Sequence, residues 1–273
     1  MYCEFFGLKE VPFNITPDPD FMFFSTRHHE AFVNLLYGIK NRKGFMEVTG
    51  DIGTGKTTLY RTLLTHMGNE ISSALITNPA LSAAQLVQTI IEDFEIQVEK
   101  KNRKGYSDAL NRFLLELEAR GSTAVLILDE AQNLKPGTLE QIRLLSNFET
   151  NKTKLLQIIL VGQPELRTLL EKPSLEQLRQ RITVSAHLSP LDRNETEQYV
   201  AHRIKIAGGH DMLIFDPAAL DEIHTCSQGI PRLINVLCDK ALMMAYFHRT
   251  GLQMGTLISL PKIATPLAVR TGS

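Results

Sequence analysis

Three short stretches of this chain carry residue types that can hold a phosphorylated ligand. The first, GDIGTGKTT, follows the pattern G-x-x-x-x-G-K-[ST] directly after the apolar run FMEV. In such a loop the backbone N–H groups point inward and, with the positive end of the following helix, surround an anion. The predicted nucleotide-binding residues are Gly50, Asp51, Ile52, Gly53, Thr54, Gly55, Lys56, Thr57 and Thr58.

Within this loop, Lys56 and Thr57 are expected to contact different parts of the ligand. Lys56 would contact the β- and γ-phosphates, and the Thr57 hydroxyl would complete the coordination of Mg²⁺. A dinucleotide site also places glycines after a strand, but it requires G-x-G-x-x-G, which this loop does not contain. The first stretch therefore predicts a nucleotide polyphosphate with Mg²⁺.

The second stretch, TAVLILDEAQ, ends an apolar run with two carboxylates, Asp129 and Glu130. A buried parallel strand would carry both to the carboxyl edge of a sheet, where open α/β folds bind ligands. Asp129 would hold Mg²⁺, usually through water, and Glu130 would orient or deprotonate an attacking water. Taken alone, the same pair is typical of a helix start.

The third stretch, IILVGQPEL, is another apolar run that ends in a polar side chain, Gln163. If its strand lies beside that of Asp129, the Gln163 amide can hydrogen-bond the γ-phosphate or the attacking water. The alternative is a loop glutamine that caps the following PEL segment.

The elements that must position these side chains follow an alternating pattern. Between the apolar runs lie helical patterns such as YSDALNRFLLELEARG, with Leu110, Leu114 and Leu117 at helical spacing. This alternation predicts βαβ units and a buried parallel sheet, an α/β fold. Strands are predicted at 45–48, 74–77, 124–128, 155–161 and 182–188.

After residue 189 the pattern changes to helices only. Asp192 with Glu195 forms a capping box, Asp216 followed by Pro217 opens a second helix, and a third begins near Pro231. The sequence therefore predicts an α/β nucleotide-binding domain at 1–188, a small all-helical domain at 189–250 and an irregular tail at 251–273.

Composition excludes several classes of function. The formal charge is −1, from 29 basic and 30 acidic residues, so the chain as a whole has no field that attracts nucleic acid or an anionic membrane. Its three cysteines, Cys3, Cys226 and Cys238, are typical of reduced thiols in a cytosolic protein. No run approaches the ~18 apolar residues of a membrane span. We expect a cytoplasmic protein, with peripheral attachment to the inner membrane left open.

Together the motifs resemble the AAA+ ATPases, and within them the branch of the secretion-associated A-type ATPases, the pilus-biogenesis ATPase MshM and the transposition regulators. Besides the three stretches, the resemblance rests on the opening FFGLKEVPFNITPDPDFMFFSTRHHEAF, on LRQRI and on GIPRLIN, and it extends to about residue 250. It implies strand order 5-1-4-3-2, a helical lid, and a ring or filament with ATP between subunits. It also implies that segment 1–30 lies beside the adenine, with Phe13, Ile15 and Thr16 as candidates.

The resemblance further implies an arginine finger from RQRI that reaches a neighbouring subunit's site. If Leu175, Leu178 and Ile182 formed one buried helical stripe, Arg179 and Arg181 would point about 200° apart, so only one could serve. Arg181, directly before the ITVSAHL strand, matches the family's position better. Arg232 in GIPR resembles the second sensor, which contacts the γ-phosphate; alternatively it is a solvent-facing arginine.

Two further features of the sequence, short basic runs and paired histidines, are weaker evidence for a binding site. The basic runs IKNRKG at 39–44 and KKNRKGY at 100–106 could contact DNA phosphates, although such runs are more often solvated loops. RHHE at 27–30, and His224 with Cys226, lack a second pair of ligands and are expected to be ordinary histidines rather than a metal site.

These features predict an ATP hydrolase that turns over Mg·ATP slowly alone and faster as a homo-oligomer. The expected role is to drive or switch assembly of a partner complex of the cell-envelope secretion or type IV pilus kind. Two alternatives remain: an ATP-dependent DNA-binding regulator of transposition, and a nucleotide-gated scaffold with little turnover.

Overall fold

A computed structural model describes residues 2–77, 81–151, 153–209 and 215–248. The described chain forms two compact units, one of residues 17–189 and one that combines residues 2–16 with the chain from Pro190 onward. The division after Ser189 lies one residue from the boundary expected from the sequence. Residues 2–16, expected beside the α/β domain, cluster instead with the C-terminal helices.

The larger unit is built on a parallel sheet of five strands in the order β2-β3-β4-β1-β5. This confirms the predicted α/β class and the predicted order 5-1-4-3-2. The central strands β1 and β4 are buried along their whole length, as expected for apolar runs covered on both faces. The strands are β1 (Phe45–Gly50), β2 (Ile71–Ile76), β3 (Thr123–Leu128), β4 (Leu156–Gly162) and β5 (Ile182–Leu188).

Helices cover both faces of the sheet. One face packs against α2 and α3 through a core that includes Leu35, Leu59 and Leu63, and the other face carries a core that includes Leu86, Leu114 and Leu139. The helices of this unit are α2 (Thr26–Lys40), α3 (Lys56–Met67), α4 (Ala83–Asp93), α5 (Arg103–Ala119), α6 (Pro136–Leu145), α7 (Glu165–Leu170) and α8 (Glu176–Arg179).

The smaller unit is helical throughout its regular elements. Its helices are α1 (Tyr2–Phe5), α9 (Arg193–Ile206), α10 (Pro217–Ser227) and α11 (Pro231–His248). The predicted capping box of Asp192 and Glu195 is present, and Asp216 caps α10 ahead of Pro217. The predicted tail at 251–273 lies outside the described residues.

Residues 2–16 join this smaller unit through specific contacts. The buried Arg203 donates hydrogen bonds to the carbonyl oxygens of Pro12 and Asn14, and the Tyr2 hydroxyl donates to Asp239. Phe13, which is 2% exposed, makes an edge contact with Phe215. A buried guanidinium requires such acceptors, so these bonds stabilise the segment against α9, while the Tyr2 bond joins it to α11.

None of the helices in the described part of the chain is long and apolar enough to cross a membrane.

Candidate functional site

The three motif stretches meet at the carboxyl edge of the sheet. The loop 50–58 follows β1, Asp129 and Glu130 follow β3, and Gln163 follows β4. Strand β4 lies between β3 and β1, with Leu160 opposite Leu128 and Gly162 opposite Thr49. This register brings the ends of all three strands to one level, so their polar side chains share one site.

The loop after β1 has two positions that require glycine. A Cβ on Gly50 would lie 2.6 Å from the Leu188 carbonyl oxygen and 2.8 Å from Thr54 Oγ1, so backbone and side chain approach too closely for any other residue. Gly55, which directly precedes α3, has φ +97°, a conformation that L-residues rarely adopt. Thr54 is fully buried and bonds the Asp51 carbonyl oxygen through both its N–H and its hydroxyl.

Lys56 occupies the first turn of α3 with its ammonium directed back into the loop. Lys56 Nζ donates to the carbonyl oxygens of Gly50 at 2.7 Å and Asp51 at 2.9 Å. Burial lowers the pKa of Lys56, while the nearby carboxylates of Glu130 and Asp129 act in the opposite direction. The loop therefore encloses a positively charged side chain, as a site for an anion requires.

Thr57 and Asp129 provide the oxygen atoms expected for a divalent cation. Thr57 Oγ1 lies 3.5 Å from Asp129 Oδ2, and the Tyr60 hydroxyl donates to the same carboxylate oxygen at 3.0 Å. Burial and the neighbouring Asp129 raise the pKa of Tyr60 to about 12, so this hydroxyl remains a neutral donor. A hydroxyl and a carboxylate are the hard ligands that Mg²⁺ prefers, so these residues fit the ion.

Glu130 is held in an unusual backbone conformation beside two glutamines. Its φ of 52° and ψ of 37° lie in the left-handed region, which is a strained conformation for glutamate and is frequent at functional sites. Glu130 Oε2 accepts hydrogen bonds from Gln132 Nε2 at 2.6 Å and from Gln163 Nε2 at 3.2 Å. Gln132 Oε1 in turn accepts from the Gln163 backbone N–H at 3.1 Å. The structure thus brings together the side chains of Glu130 and Gln163.

Arg181 lies in the same unit, at the start of β5. Its guanidinium donates to the carbonyl oxygen of Arg143, to Ser146 Oγ and to Asn147 Oδ1 at 2.9 Å, all at the C-terminal end of α6. Arg179 is exposed at the end of α8. The single helical stripe considered for this region does not form, because Leu175 and Leu178 are buried but Ile182 already belongs to β5.

The predicted second sensor and the adenine candidates belong to the smaller unit. Arg232 lies in the first turn of α11 and is exposed, and of the adenine candidates Phe13 is buried while Ile15 is 53% exposed. The roles predicted for them remain predictions.

Three residues at the site were missed by reasoning from the sequence. Gln132 bonds Glu130, Tyr60 bonds Asp129, and His28 bonds the Thr54 carbonyl oxygen from α2. Gln132 lies two residues after Glu130 in DEAQ, which could have drawn attention to it. The sequence around Tyr60 and His28, in TTLYRTLL and TRHHEAF, contains no such signal.

The histidines considered as metal ligands do not assemble into a metal site within the described ranges, where no cluster of three or more His, Cys, Asp or Glu is present. His224 instead shares a hydrogen bond with Thr196.

Comparisons with known proteins agree with this geometry. Residues 39–170 match the family model described as AAA domain. The chain is 46% identical over 247 residues to general secretion pathway protein A of Aeromonas hydrophila, covering 90% of this chain and 45% of that protein. It therefore spans less than half the length of this relative.

Solved structures share the fold at low sequence identity. The ORC2 protein of Aeropyrum pernix, in ADPNP and ADP complexes, is 18% identical with a TM-score of 0.60 over 82% of this chain and 62% of that one. The RuvB Holliday junction branch migration motor of Thermotoga maritima is 17% identical with a TM-score of 0.57, over 86% and 66%. The predicted family resemblance is confirmed: residues 39–170 form an AAA domain, and the chain is similar to the secretion-pathway A protein.

Proposed function

We propose that this chain binds Mg·ATP at residues 50–58 and hydrolyses it to drive or switch the assembly of a partner complex. The observation that carries the proposal is the convergence of Lys56, Thr57, Asp129, Glu130 and Gln163 at one edge of the sheet. Fold resemblance alone would not support hydrolysis, because function depends on the site rather than on the fold.

The residues at the edge of the sheet have roles that follow from their chemistry and position, whereas the roles of Arg181 and Arg232 are proposed from the family resemblance. Lys56 and the loop N–H groups bind and orient the phosphates, and Thr57 with Asp129 holds the metal ion. Glu130 accepts a proton from the attacking water, and Gln163, bonded to Glu130 in this structure, orients that water or the γ-phosphate. When bound, Mg·ATP supplies the phosphoanhydride and the charge that these residues stabilise. Arg181 acts on the site of a neighbouring subunit, and Arg232 senses the γ-phosphate.

The biological setting is proposed from the relative. A chain 46% identical to a general secretion pathway protein favours a role in a cell-envelope machine, of the secretion or type IV pilus kind. The proposed form is a homo-oligomer in the cytoplasm, at the inner face of the envelope. Such an oligomer is consistent with this role and would allow Arg181 of one subunit to reach the site of its neighbour.

Two variants test the enzymatic proposal separately. Lys56→Ala should lose Mg·ATP binding measured by titration calorimetry. Glu130→Gln should keep binding and lower phosphate release by about 10²–10⁴-fold, because only the proton acceptor is removed. Glu171→Gln, an exposed change directly after α7, is the matched control. If Glu130→Gln binds Mg·ATP and releases phosphate no more slowly than wild type does, the ATPase proposal fails. The nucleotide-gated scaffold is then the remaining function.

A second candidate function, ATP-dependent DNA binding, has one observation in its favour. Lys100, Lys101, Arg103 and Lys104 are all exposed around the start of α5. Contacts of these cations with phosphates would be strongly weakened by salt. Retention of duplex DNA that requires ATP and falls steeply with salt would support this function, and no retention at low salt would exclude it.

A further inference from the structure

His28 connects helix α2 to the phosphate loop through a buried hydrogen bond. Its side chain is 3% exposed, and its Nε2 lies 2.8 Å from the carbonyl oxygen of Thr54, which is itself fully buried. On the other side of the ring, Nδ1 lies 2.7 Å from Ser25 Oγ. Both ring nitrogens are therefore engaged, one with the loop and one with the residue that caps α2.

The partners determine which nitrogen carries the proton. A carbonyl oxygen can only accept, so His28 Nε2 must be the donor to Thr54. In a neutral ring Nδ1 is then an acceptor, and the Ser25 hydroxyl donates to it. The result is a directed chain of hydrogen bonds from Ser25 through His28 to the Thr54 carbonyl group.

This contact fixes the direction of one N–H group in the loop. The Thr54 carbonyl and the Gly55 N–H belong to the same planar trans peptide, so the two groups point in opposite directions. With the carbonyl held by His28, the Gly55 N–H must point away from α2. Glycine at 55 would otherwise allow this peptide to rotate easily, since its φ of +97° is one of several conformations open to it.

We infer that His28 is a positioning residue for nucleotide binding, which holds the Thr54–Gly55 peptide with its N–H directed at the phosphates. The inference rests on the proposed function of the loop. His28 contacts neither the ligand nor the reacting atoms; it acts through the backbone of the loop. A Cβ at Gly55 would lie 3.1 Å from His28 Nε2, so the ring also leaves little room for a side chain at this position.

The test compares three variants of the full chain by calorimetric titration with Mg·ATP and with Mg·ADP. His28→Leu fills the volume but removes both hydrogen bonds, and it should weaken binding of both nucleotides by roughly tenfold, the effect of one lost buried hydrogen bond. His28→Gln keeps an N–H donor near the position of Nε2 and should recover most of that loss. His29→Leu, on the exposed side of the same helix turn, should bind as wild type does.

Steady-state turnover adds a second readout. His28→Leu should raise KM for ATP while kcat stays within a few-fold of wild type, because the lost group positions phosphates rather than the attacking water. Equal affinity in wild type and His28→Leu would overturn the inference and leave the proposed function standing. A glutamine variant as weak as the leucine variant would assign the loss to packing and also overturn it. If wild type itself binds no Mg·ATP, the proposed function and the inference both fall.

One further measurement uses the wild-type protein, so its result does not depend on whether a variant folds. Nitrogen-15 NMR of the wild-type histidine rings should show His28 as the neutral Nε2–H tautomer with an unprotonated Nδ1. A Nδ1–H tautomer would overturn the inference, because the ring could then not donate to Thr54.

Discussion

Lys56 reaches two carbonyl oxygens of its own loop, in surroundings that lower its pKa because burial disfavours the charged ammonium. Phosphate groups placed beside the same ammonium would favour the charged form and raise that pKa. At a pH between the lower pKa of the free protein and the higher pKa of the complex, binding of Mg·ATP should therefore take up a proton.

Titration calorimetry in buffers of different ionisation enthalpy measures this uptake. We expect proton uptake to appear as the pH rises through the lowered pKa of Lys56 in the free protein, and to be absent at pH values below it. An uptake that does not increase toward alkaline pH would contradict this account of Lys56.

Gln132 is the residue most directly responsible for the position of the Glu130 carboxylate. Gln132→Leu should lower kcat by up to about 100-fold, because a catalytic group displaced by about 1 Å loses that much rate. Affinity for ATP should change little, since the hydrogen bonds of Gln132 join it to Glu130 and Gln163 rather than to the phosphate loop. The matched control is Asn133→Leu, an exposed change in the same short helical turn. Similar kcat values for the two variants would show that Gln132 does not orient Glu130.

At the scale of residues, the sequence identified the groups whose type carries the chemistry and missed those that support them. Lys56, Asp129 and Glu130 could be found because their pattern along the chain is specific. Tyr60 and His28 have no such pattern, since their partners lie 69 and 26 residues away in sequence and are set by how α2 and α3 pack on the sheet.

Helix α5 offers a direct measure of what packing contributes to stability. Leu114 is 1% exposed within the main core, whereas its neighbour Leu115 is 43% exposed. Leu114→Ala should lower the free energy of unfolding by about 3 kcal/mol, because it removes buried methyl groups and leaves a cavity. Leu115→Ala should lower it by less than about 1 kcal/mol. Urea denaturation checks both, and equal effects would contradict the assignment of the buried face.

The positions of elements followed from hydrophobic pattern wherever an element is buried. Strand β4, which is buried throughout, was predicted at 155–161 and lies at Leu156–Gly162. The edge strand β5 is only partly buried, but it was also predicted at its observed limits, because apolar residues recur along ITVSAHL. Strand β2 begins at Ile71, before the predicted 74–77, because it is an edge strand whose first residues include Ser72 and Ser73 and are only partly covered. The length of the apolar run therefore underestimates the length of an edge strand that begins with polar residues.

At the scale of the whole molecule, assembly should decide the rate of turnover. Arg181 is anchored on α6, and in the proposed oligomer it would stabilise charge in a neighbour's site, an effect worth ~10³–10⁵ in rate. Arg181→Ala should therefore lose at least about 10³-fold in kcat as a homo-oligomer. Mixing it with Lys56→Ala should restore activity, because an intact loop then meets an intact arginine.

Phosphate release by each variant alone and by their mixture measures this complementation. Arg179→Ala, at the exposed end of α8, serves as the control. No recovery on mixing, or full activity from a strictly monomeric protein, would refute a finger in trans.

The grouping of residues 2–16 with the C-terminal helices could not be read from the sequence. The hydrophobic pattern along the chain identifies local elements. Arg203, however, donates to the carbonyl oxygens of Pro12 and Asn14, which lie 191 and 189 residues away in the sequence. Such pairings are set by tertiary packing, for which a single sequence has no periodic signal.

The order of the strands also has a consequence for synthesis of the chain. The loop after β1 leaves the ribosome early, but Asp129 is 72 residues beyond Thr57, which takes roughly 4–14 s at ~5–20 residues per second. Gln163 follows later still, on the strand that separates the other two. A nascent chain therefore carries an incomplete site until β4 has entered the sheet. If nucleotide binding requires the ends of all three strands, the nucleotide stabilises only the completed unit. It then has no effect on earlier folding steps.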